Sequence, residues 1–373
     1  MKTFIHQKDN WPKFTWDSNI FLDLLSEVRN LQGRLIGKME TLGFDLRSEA
    51  LLDILTLDVL KSSEIEGEFL NHDQVRSSIA RRLGMEIAGA VESDRSVEGV
   101  VEMMLDATQK CFVPLTVDRL FDWHAALFPT GRSGMYKITV ADWRKDTTGP
   151  MQVVSGAMGK EKVHFHAPNS DVVEKEMTRF IDWFKNSKIE FVIKAAIAHL
   201  WFVTIHPFED GNGRITRALT DMLLAQSDKS NQRFYSMSAQ IRLERKQYYE
   251  ILEKKQKGNL DITEWIVWFL NCLINALKST DSILIRVLFK ADFWQKHIDS
   301  TINDRQRKLL NKLLDGFDGK LTSSKWAKIA KCSKDTAVRD INDLIEKGVL
   351  QKEPAGGRST NYELIEMPAG NTQ

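Results

Sequence analysis

The stretch HPFEDGNGRITR, residues 206 to 217, sets one histidine, two acids, two glycines and two arginines within twelve positions. Pro207 disfavours helical geometry at the residue before it, so a helix ending in LWFVTI stops at or just before His206 and leaves the imidazole at a loop edge. Gly211 and Gly213 permit a tight turn and close approach of backbone N–H groups. The spacing of Ile215, Leu219, Met222 and Leu223 then starts a helix, and loop N–H groups at a helix N-terminus form a phosphate site. Arg214 and Arg217, three residues apart, project from one side of its first turn, and guanidinium forks grip phosphate oxygens bidentately. Two forks suit a di- or triphosphate. Asp210 can ligate a magnesium ion bridging phosphate oxygens, and Asn212 can donate its amide. His206, with an ordinary pKa of about 6.5, can accept a proton from an incoming hydroxyl. The chemistry these residues offer is nucleotidyl or phosphoryl transfer onto a hydroxyl.

These side chains need a scaffold. Leu51, Ile54, Leu55, Val59 and Ile65 recur at three- and four-residue steps, predicting an amphipathic helix over 44–66 with Gly67 as its stop. Ser62 and Glu66 share one face of it. Glu66 stands at the C-terminal end, where the helix dipole disfavours a carboxylate by a few tenths to about 1 kcal/mol, so a nearby cation would relieve it. Further helical runs are VEGVVEMMLDATQKC, TVDRLFDWHAALF, VVEKEMTRFIDWFKN, EFVIKAAIAHLWFVTI, RKQYYEILEKK and DITEWIVWFLNCLINAL. Residues 131–168 differ: YKITVADWR, MQVVSG and KVHFH carry β-branched and aromatic residues around Gly156 and Gly159, which predicts one β-hairpin flap in a helical domain. His164 and His166 alternate on that flap and share a face, which suits flap surface better than a metal site. Residues 302–365 hold 13 basic against 9 acidic side chains and predict three helices followed by two strands, with SKDTAVRDINDLIEKG as the third helix, Gly348 as its stop and PAGGRSTN between the strands.

Composition bounds the class. With 42% hydrophobic and 28% charged residues the chain reads as globular, and 52 basic against 51 acidic side chains single out no partner by global charge. Cys111, Cys272 and Cys332 are scattered without metal-type spacing, as expected of reduced thiols in an intracellular protein. MKTFIHQKDNWPKF has no apolar signal core, and the most apolar run, WIVWFLNCLI, is far short of the roughly 20 residues of a membrane span. A cytoplasmic location is the expectation.

The motif resembles the HPFx[D/E]GNGRxxR signature of the Fic (filamentation induced by cAMP) family at every defined position. The resemblance implies a mainly α, Fic-type helical core with a small β-hairpin flap. The breaks read along the chain divide it into an N-terminal helical extension over 1–92, the core over 93–285, a linker over 286–301 and a winged-helix-like domain over 302–373. It implies transfer of AMP from ATP, with magnesium, to Ser, Thr or Tyr hydroxyls of a target protein or of the chain itself. His206 would be the general base and Asp210 the magnesium ligand. Gly211, Asn212, Gly213 and Arg214 would cradle the α/β-phosphates, and Arg217 would hold the γ-phosphate. Glu209, Ile215 and Thr216 belong to the same ATP-binding stretch, and Tyr248 and Tyr249 resemble the tyrosine pair set against adenine. Val163, His164 and Phe165 of the flap would dock the target by strand pairing.

SSEIEG is similar to the inhibitory-helix motif [S/T]xxxE[G/N] of this family, read as Ser62, Glu66 and Gly67. By that resemblance Glu66 pairs with Arg217 and displaces the γ-phosphate. Fic relatives also remove AMP or transfer other phosphate-containing groups, and a DNA-binding regulator that senses ATP is a further alternative. In the winged-helix-like segment Lys334, Arg339 and Arg358 could meet DNA phosphates, with Lys325 and Lys328 steering, while Asp335, Asp340 and Asp343 argue for a protein contact or dimerisation.

Overall fold

The structure, a computed structural model, describes residues 4–87, 89–146, 149–155, 162–297, 301–314, 317, 319–353 and 360–365. It divides into two compact units. One holds Met1–Gly43, Leu51–Gly84 and Val91–Thr280, and the other holds Phe44–Ala50, Met85–Ala90 and Asp281–Gln373.

The first unit is built on two adjacent, extensively packed helices, α7 (Phe191–Ile205) and α8 (Asn212–Asp228). Nearly every side chain of α7 is buried. A helix apolar all round can only be a core helix. Around this pair lie α1 (Leu22–Thr41), the 51–65 part of α2 (Phe44–Ile65), α3 (His72–Arg82), α4 (Arg95–Gln109), α5 (Val117–Leu127), α6 (Ser170–Asn186), α9 (Met237–Leu243) and α10 (Arg245–Gln256). Side-chain oxygens of Asp94, Thr116 and Ser236 cap α4, α5 and α9, each such cap stabilising its helix by about 1 kcal/mol. The N-terminal aromatic residues pack on the core as the Trp11 indole meets Trp201 edge-on at 6.2 Å and donates to Glu176 at 2.8 Å.

Residues on both sides of 92/93 belong to this unit. A buried ion cluster joins its early and late segments: Arg233 lies 2.6 Å from Asp221 of α8 and 3.3 Å from Asp58 of α2. The three side chains are at most 2% exposed, and removing one partner of such a cluster would strand an uncompensated charge. This cluster fastens α2 to α8 one helical turn before Ser62.

Instead of one hairpin, residues 131–168 form two separate antiparallel pairs. They are β1 (Arg132–Ser133) with β2 (Tyr136–Lys137), and β3 (Gln152–Ser155) with β4 (Lys162–His166). YKITVADWR is mostly irregular because its backbone donors serve the motif loop. Thr139 N–H donates to Glu209, Ala141 N–H to His124 and Arg144 N–H to the Pro207 carbonyl. Gly156 and Gly159 lie outside the described residues.

The helix α11 (Thr263–Lys296) runs through the span expected as a linker, so residues 286–296 are helical. Apolar residues such as Val287 and Phe293 are buried along it, which a solvated linker would not provide. In the second unit α12 (Asp304–Leu314), α13 (Ser323–Ile329), α14 (Lys334–Glu346), β5 (Leu350–Lys352) and β6 (Tyr362–Leu364) follow the order read from the sequence. Leu309, Leu310, Trp326, Ile341, Leu344 and Leu364 form their core. Arg358 and most of PAGGRSTN lie outside the described residues. Among the described residues no helix is long and apolar enough to cross a membrane.

Candidate active site

His206 ends α7 in the left-handed conformation, φ 52° and ψ 59°, with its N–H still bonded to the Phe202 carbonyl at 3.0 Å. A non-glycine residue in this region is uncommon, and it persists only where its surroundings hold it. Arg144, buried at 2% exposure, does the holding. Its Nε donates to the His206 carbonyl at 2.8 Å and its N–H to the Pro207 carbonyl at 2.9 Å. Its guanidinium also meets Asp146 and the Pro168 carbonyl.

The His206 Nδ1 lies 3.4 Å from the Val203 carbonyl, which favours the proton on Nδ1 and leaves Nε2 with a free lone pair. Burial, with Arg144 adding repulsion, pushes the imidazole down to about 4. The ring is therefore neutral at pH 7, further below its ordinary value than the sequence suggested.

The loop after it is braced from outside. His124, fully buried and stacked 4.2 Å from Phe208, accepts at Nδ1 from Ala141 N–H and so carries its proton on Nε2, which faces the Asp210 carbonyl at 3.2 Å. Glu209 accepts from the Thr139 hydroxyl at 2.8 Å and N–H at 3.1 Å. The Asn212 amide folds back on Phe208, accepting from its N–H at 2.9 Å and donating to its carbonyl at 2.8 Å. These two bonds make Asn212 a brace of the loop. Ile215 is a core side chain, and the Thr216 hydroxyl donates to the Asn212 carbonyl at 2.7 Å, because both face into the α8 packing.

Asp210 accepts from Ser133 Oγ and from Gly211 N–H. Two hydrogen bonds orient a carboxylate that keeps lone pairs for an ion. Among the described residues no cluster of three metal-ligating side chains exists. A single oriented carboxylate suits magnesium, which takes one or two carboxylates and completes its shell with phosphate oxygens and water.

The end of α2 reaches this loop through a C-terminal turn of Schellman type. Gly67 at φ 85° donates to the Glu64 carbonyl at 3.1 Å, and Glu68 N–H donates to the Ser63 carbonyl at 3.0 Å. The helix end and this turn bring three residues to the two arginines. Arg217 Nε donates to Ser62 Oγ at 2.8 Å and Nη2 to the Ser62 carbonyl at 2.8 Å. Nη2 also lies 2.8 Å from Glu66 Oε1, so Arg217 is the cation at the unfavourable helix end. Arg214 Nη1 lies 2.5 Å from Glu68 Oε2, its guanidinium 5.1 Å above the Phe128 ring. Burial, with Asp210 and Glu66 adding to it, raises the Glu68 carboxyl above its ordinary value although Arg214 pulls the other way.

Gly213 is where these groups converge. A Cβ there would lie 1.9 Å from Glu66 Oε1 and 3.2 Å from Arg217 Nη1. Nη1 is buried and, among the described residues, has no hydrogen-bond partner. An orphaned guanidinium donor beside a glycine that admits close approach is what a phosphate oxygen requires.

A cavity of 670 Å³ opens from this point, its wall including Glu66, Gly213, His206, Val203, Tyr248 and Tyr249. Tyr248 is 2% exposed and Tyr249 39%. On the flap side, Val153, Val154, His164 and Phe165 line the same cavity, and Val163 does not. Phe165 is itself anchored, 1% exposed and edge-on to Phe4 at 5.2 Å. His164 pairs with Glu253 at 2.7 Å, and its hydrogen-bonded neighbours Lys257 and His164 hold that carboxyl down at about 2. His164 therefore engages α10, and Val163, at the exposed surface, is the flap residue free of such anchoring.

With this geometry in view, the Fic/DOC family matches residues 114–224, which contain the motif, its braces His124, Ser133, Thr139 and Arg144, and all of α7. The chain carries a Fic domain. Residues 4–85, which include Ser62 and Glu66, match a domain of unknown function, DUF4172. A probable protein adenylyltransferase of Aquifex aeolicus is 32% identical over 101 residues, 27% of this chain and 29% of that one. Protein adenylyltransferase Fic of Nematostella vectensis is 34% identical over 108 residues, 28% of this chain and 23% of that one. The chain thus spans under a third of these relatives' length. A crystal structure of a Fic family protein from Desulfovibrio desulfuricans G20 is 21% identical, covers 95% of this chain and 97% of its own, and superposes with a TM-score of 0.52. This shows that the fold is shared.

His124, Arg144, Ser133, Thr139 and Glu68 are the participants that sequence reasoning missed. Only Glu68 left a signal, as a second acid two residues beyond Glu66. In the second unit Asp340 binds Arg305 at 3.0 Å and Asp343 binds Lys347 at 2.5 Å. Lys325, Lys328, Lys334 and Arg339 remain exposed.

Proposed function

We propose that the Fic domain transfers AMP from ATP to a hydroxyl of a protein, and that the α2 end inhibits it. The observation that carries this reading is the convergence at Gly213 of Glu66, the unpartnered Arg217 Nη1 and the cavity holding His206. In the reaction the hydroxyl oxygen bonds to the α-phosphorus, the α–β phosphoanhydride bond breaks and pyrophosphate leaves. The hydroxyl proton passes to His206 Nε2, the lone pair that the Val203 contact leaves free. Arg214, Arg217 and the N–H groups at the start of α8 stabilise the phosphate charge. Asp210 would hold magnesium, which neutralises charge on the polyphosphate. The Tyr248 and Tyr249 end of the cavity takes the base, and the exposed Val163 edge of the flap takes the target backbone.

Inhibition in this reading engages both arginine forks. Glu66 occupies Arg217 and Glu68 occupies Arg214, so the polyphosphate must displace two carboxylates. Incubation with ATP labelled at the α-phosphate tests the proposal. Glu66→Gly raises self-labelling and His206→Ala abolishes it, whereas equal labelling by wild type and both variants defeats it. Glu66 also lines the cavity beside His206, where its carboxylate could position a water, so removal of AMP from a modified protein is the second reading. Mass spectrometry of a pre-modified target with wild type and Glu66→Gly separates the two.

A further inference from the structure

Between the tyrosine wall and the phosphate end of the cavity lies a buried polar chain that none of the roles above uses. His199, on α7, is fully buried. Its Nδ1 lies 2.9 Å from Thr220 Oγ1 and its Nε2 lies 2.9 Å from the Tyr248 hydroxyl. The single Thr220 hydroxyl proton is committed to the Thr216 carbonyl at 2.8 Å, so Oγ1 can only accept from His199. Nδ1 therefore carries the proton. In a neutral imidazole Nε2 is then the acceptor, and the Tyr248 O–H donates to it. Thr216 Oγ1 in turn donates to the Asn212 carbonyl at 2.7 Å, inside the motif. The protons run in one direction from the Tyr248 hydroxyl on α10 through His199 and Thr220 to the Thr216 carbonyl on α8, and Thr216 separately bonds the first residue of that helix. Burial, with Arg217 adding repulsion, keeps the His199 ring neutral, its pKa down at about 3.

We infer that His199 is a positioning residue that fixes Tyr248, and with it the base-binding wall of the cavity, at a set distance from the Gly213 and Arg217 phosphate cradle. The role rests on the reading that this cavity takes a nucleotide. Tyr248 lines the cavity and meets His199 both through its hydroxyl and edge-on, ring to ring, at 5.6 Å, and Tyr249 leans on it at 5.1 Å. Loss of the hydroxyl bond leaves the Tyr248 ring held only by packing, against Trp268 at 5.5 Å among others, and leaves the Arg214 and Arg217 contacts to the α2 end in place. The consequence is selective: binding of the nucleoside part weakens and binding of the polyphosphate part does not.

The test uses the full chain carrying Glu66→Gly, with ATP and inorganic tripolyphosphate as probes. His199→Asn, which can keep the Thr220 contact but cannot reach Tyr248, and Tyr248→Phe should each weaken ATP binding about tenfold, the scale of one buried hydrogen bond left unsatisfied. Tripolyphosphate affinity should stay unchanged. His199→Gln, whose amide oxygen reaches the Nε2 place, should recover most of the ATP affinity. ¹⁵N-histidine NMR should show His199 as the Nδ1–H tautomer from pH 7.5 to 5. An Nε2–H tautomer, or equal loss of ATP and tripolyphosphate binding in His199→Asn, overturns the inference. Failure of the Glu66→Gly protein itself to bind either probe overturns the nucleotide reading and this role with it, while the tautomer signal reports separately on the hydrogen-bond chain.

Discussion

Glu66 Oε1 sits 2.8 Å from Arg217 Nη2 and within 1.9 Å of where a Gly213 Cβ would stand. One carboxylate thus fills the space that a glycine and an arginine would otherwise offer to a phosphate. Glu68 repeats the arrangement on Arg214 at 2.5 Å. Asp58, clamped through Arg233 to Asp221, keeps the preceding turn of α2 in place, so release concerns only the turn that follows it.

If both carboxylates compete with the polyphosphate, their removal should add. Glu68→Gln alone should tighten ATP binding less than Glu66→Gly, because Glu68 is 44% exposed and Glu66 31%. A coupling of this kind is typically worth about 5- to 150-fold. Calorimetric titration of the two single variants and the double variant with ATP checks this. No change for Glu68→Gln in either background would confine inhibition to Glu66.

Gly213→Ala should cost wild type more stability than it costs the Glu66→Gly protein. The added methyl meets the carboxylate only while Glu66 is present, and overpacking of this sort typically costs about 1–3 kcal/mol. A double-mutant cycle of thermal midpoints measures the coupling. Additive effects would mean that Glu66 leaves Gly213 at no cost.

The acid limb of the labelling reaction should lie well below pH 6.5. Burial lowers the folded-state pKa of His206 to about 4, so the base stays neutral as pH falls through 6.5 and charges only nearer 4. Initial rates of the Glu66→Gly protein from pH 7.5 to 4.5 read this directly. A half-maximal point at about 6.5 would indicate a solvated imidazole.

Arg144→Lys should impair the site while leaving His206 in the chain. Lysine cannot bond the His206 carbonyl, the Pro168 carbonyl and Asp146 together, so the left-handed turn at His206 loses its brace. Stability should fall by about 1–3 kcal/mol, the cost of leaving a buried carbonyl unsatisfied, since lysine keeps the charge beside Asp146 but not the guanidinium's spread of donors. Labelling by the Arg144→Lys, Glu66→Gly protein should fall at temperatures where circular dichroism shows it folded. Full labelling there would remove Arg144 from the site.

HPFEDGNGRITR was legible because its chemistry is local. A proline stop, glycines and two arginines one turn apart share a loop and the start of one helix, and chain geometry alone brings them together. The α2 periodicity and its glycine stop were legible for the same reason, since both follow from a repeat of 3.6 residues. What the tertiary structure decided was every partner that arrives across the chain. Arg144 reaches His206 from 62 residues away and Arg217 meets Ser62 across 155. YKITVADWR has strand composition, yet its donors go to the motif loop and its brace because Glu209 and Pro207 in the loop and His124 on α5 offer acceptors. His199 reads as one more residue of an apolar helix, and only packing gives its two nitrogens Thr220 and Tyr248. Buried polar groups must be paired, and a sequence states which groups need partners without saying which distant segment will supply them.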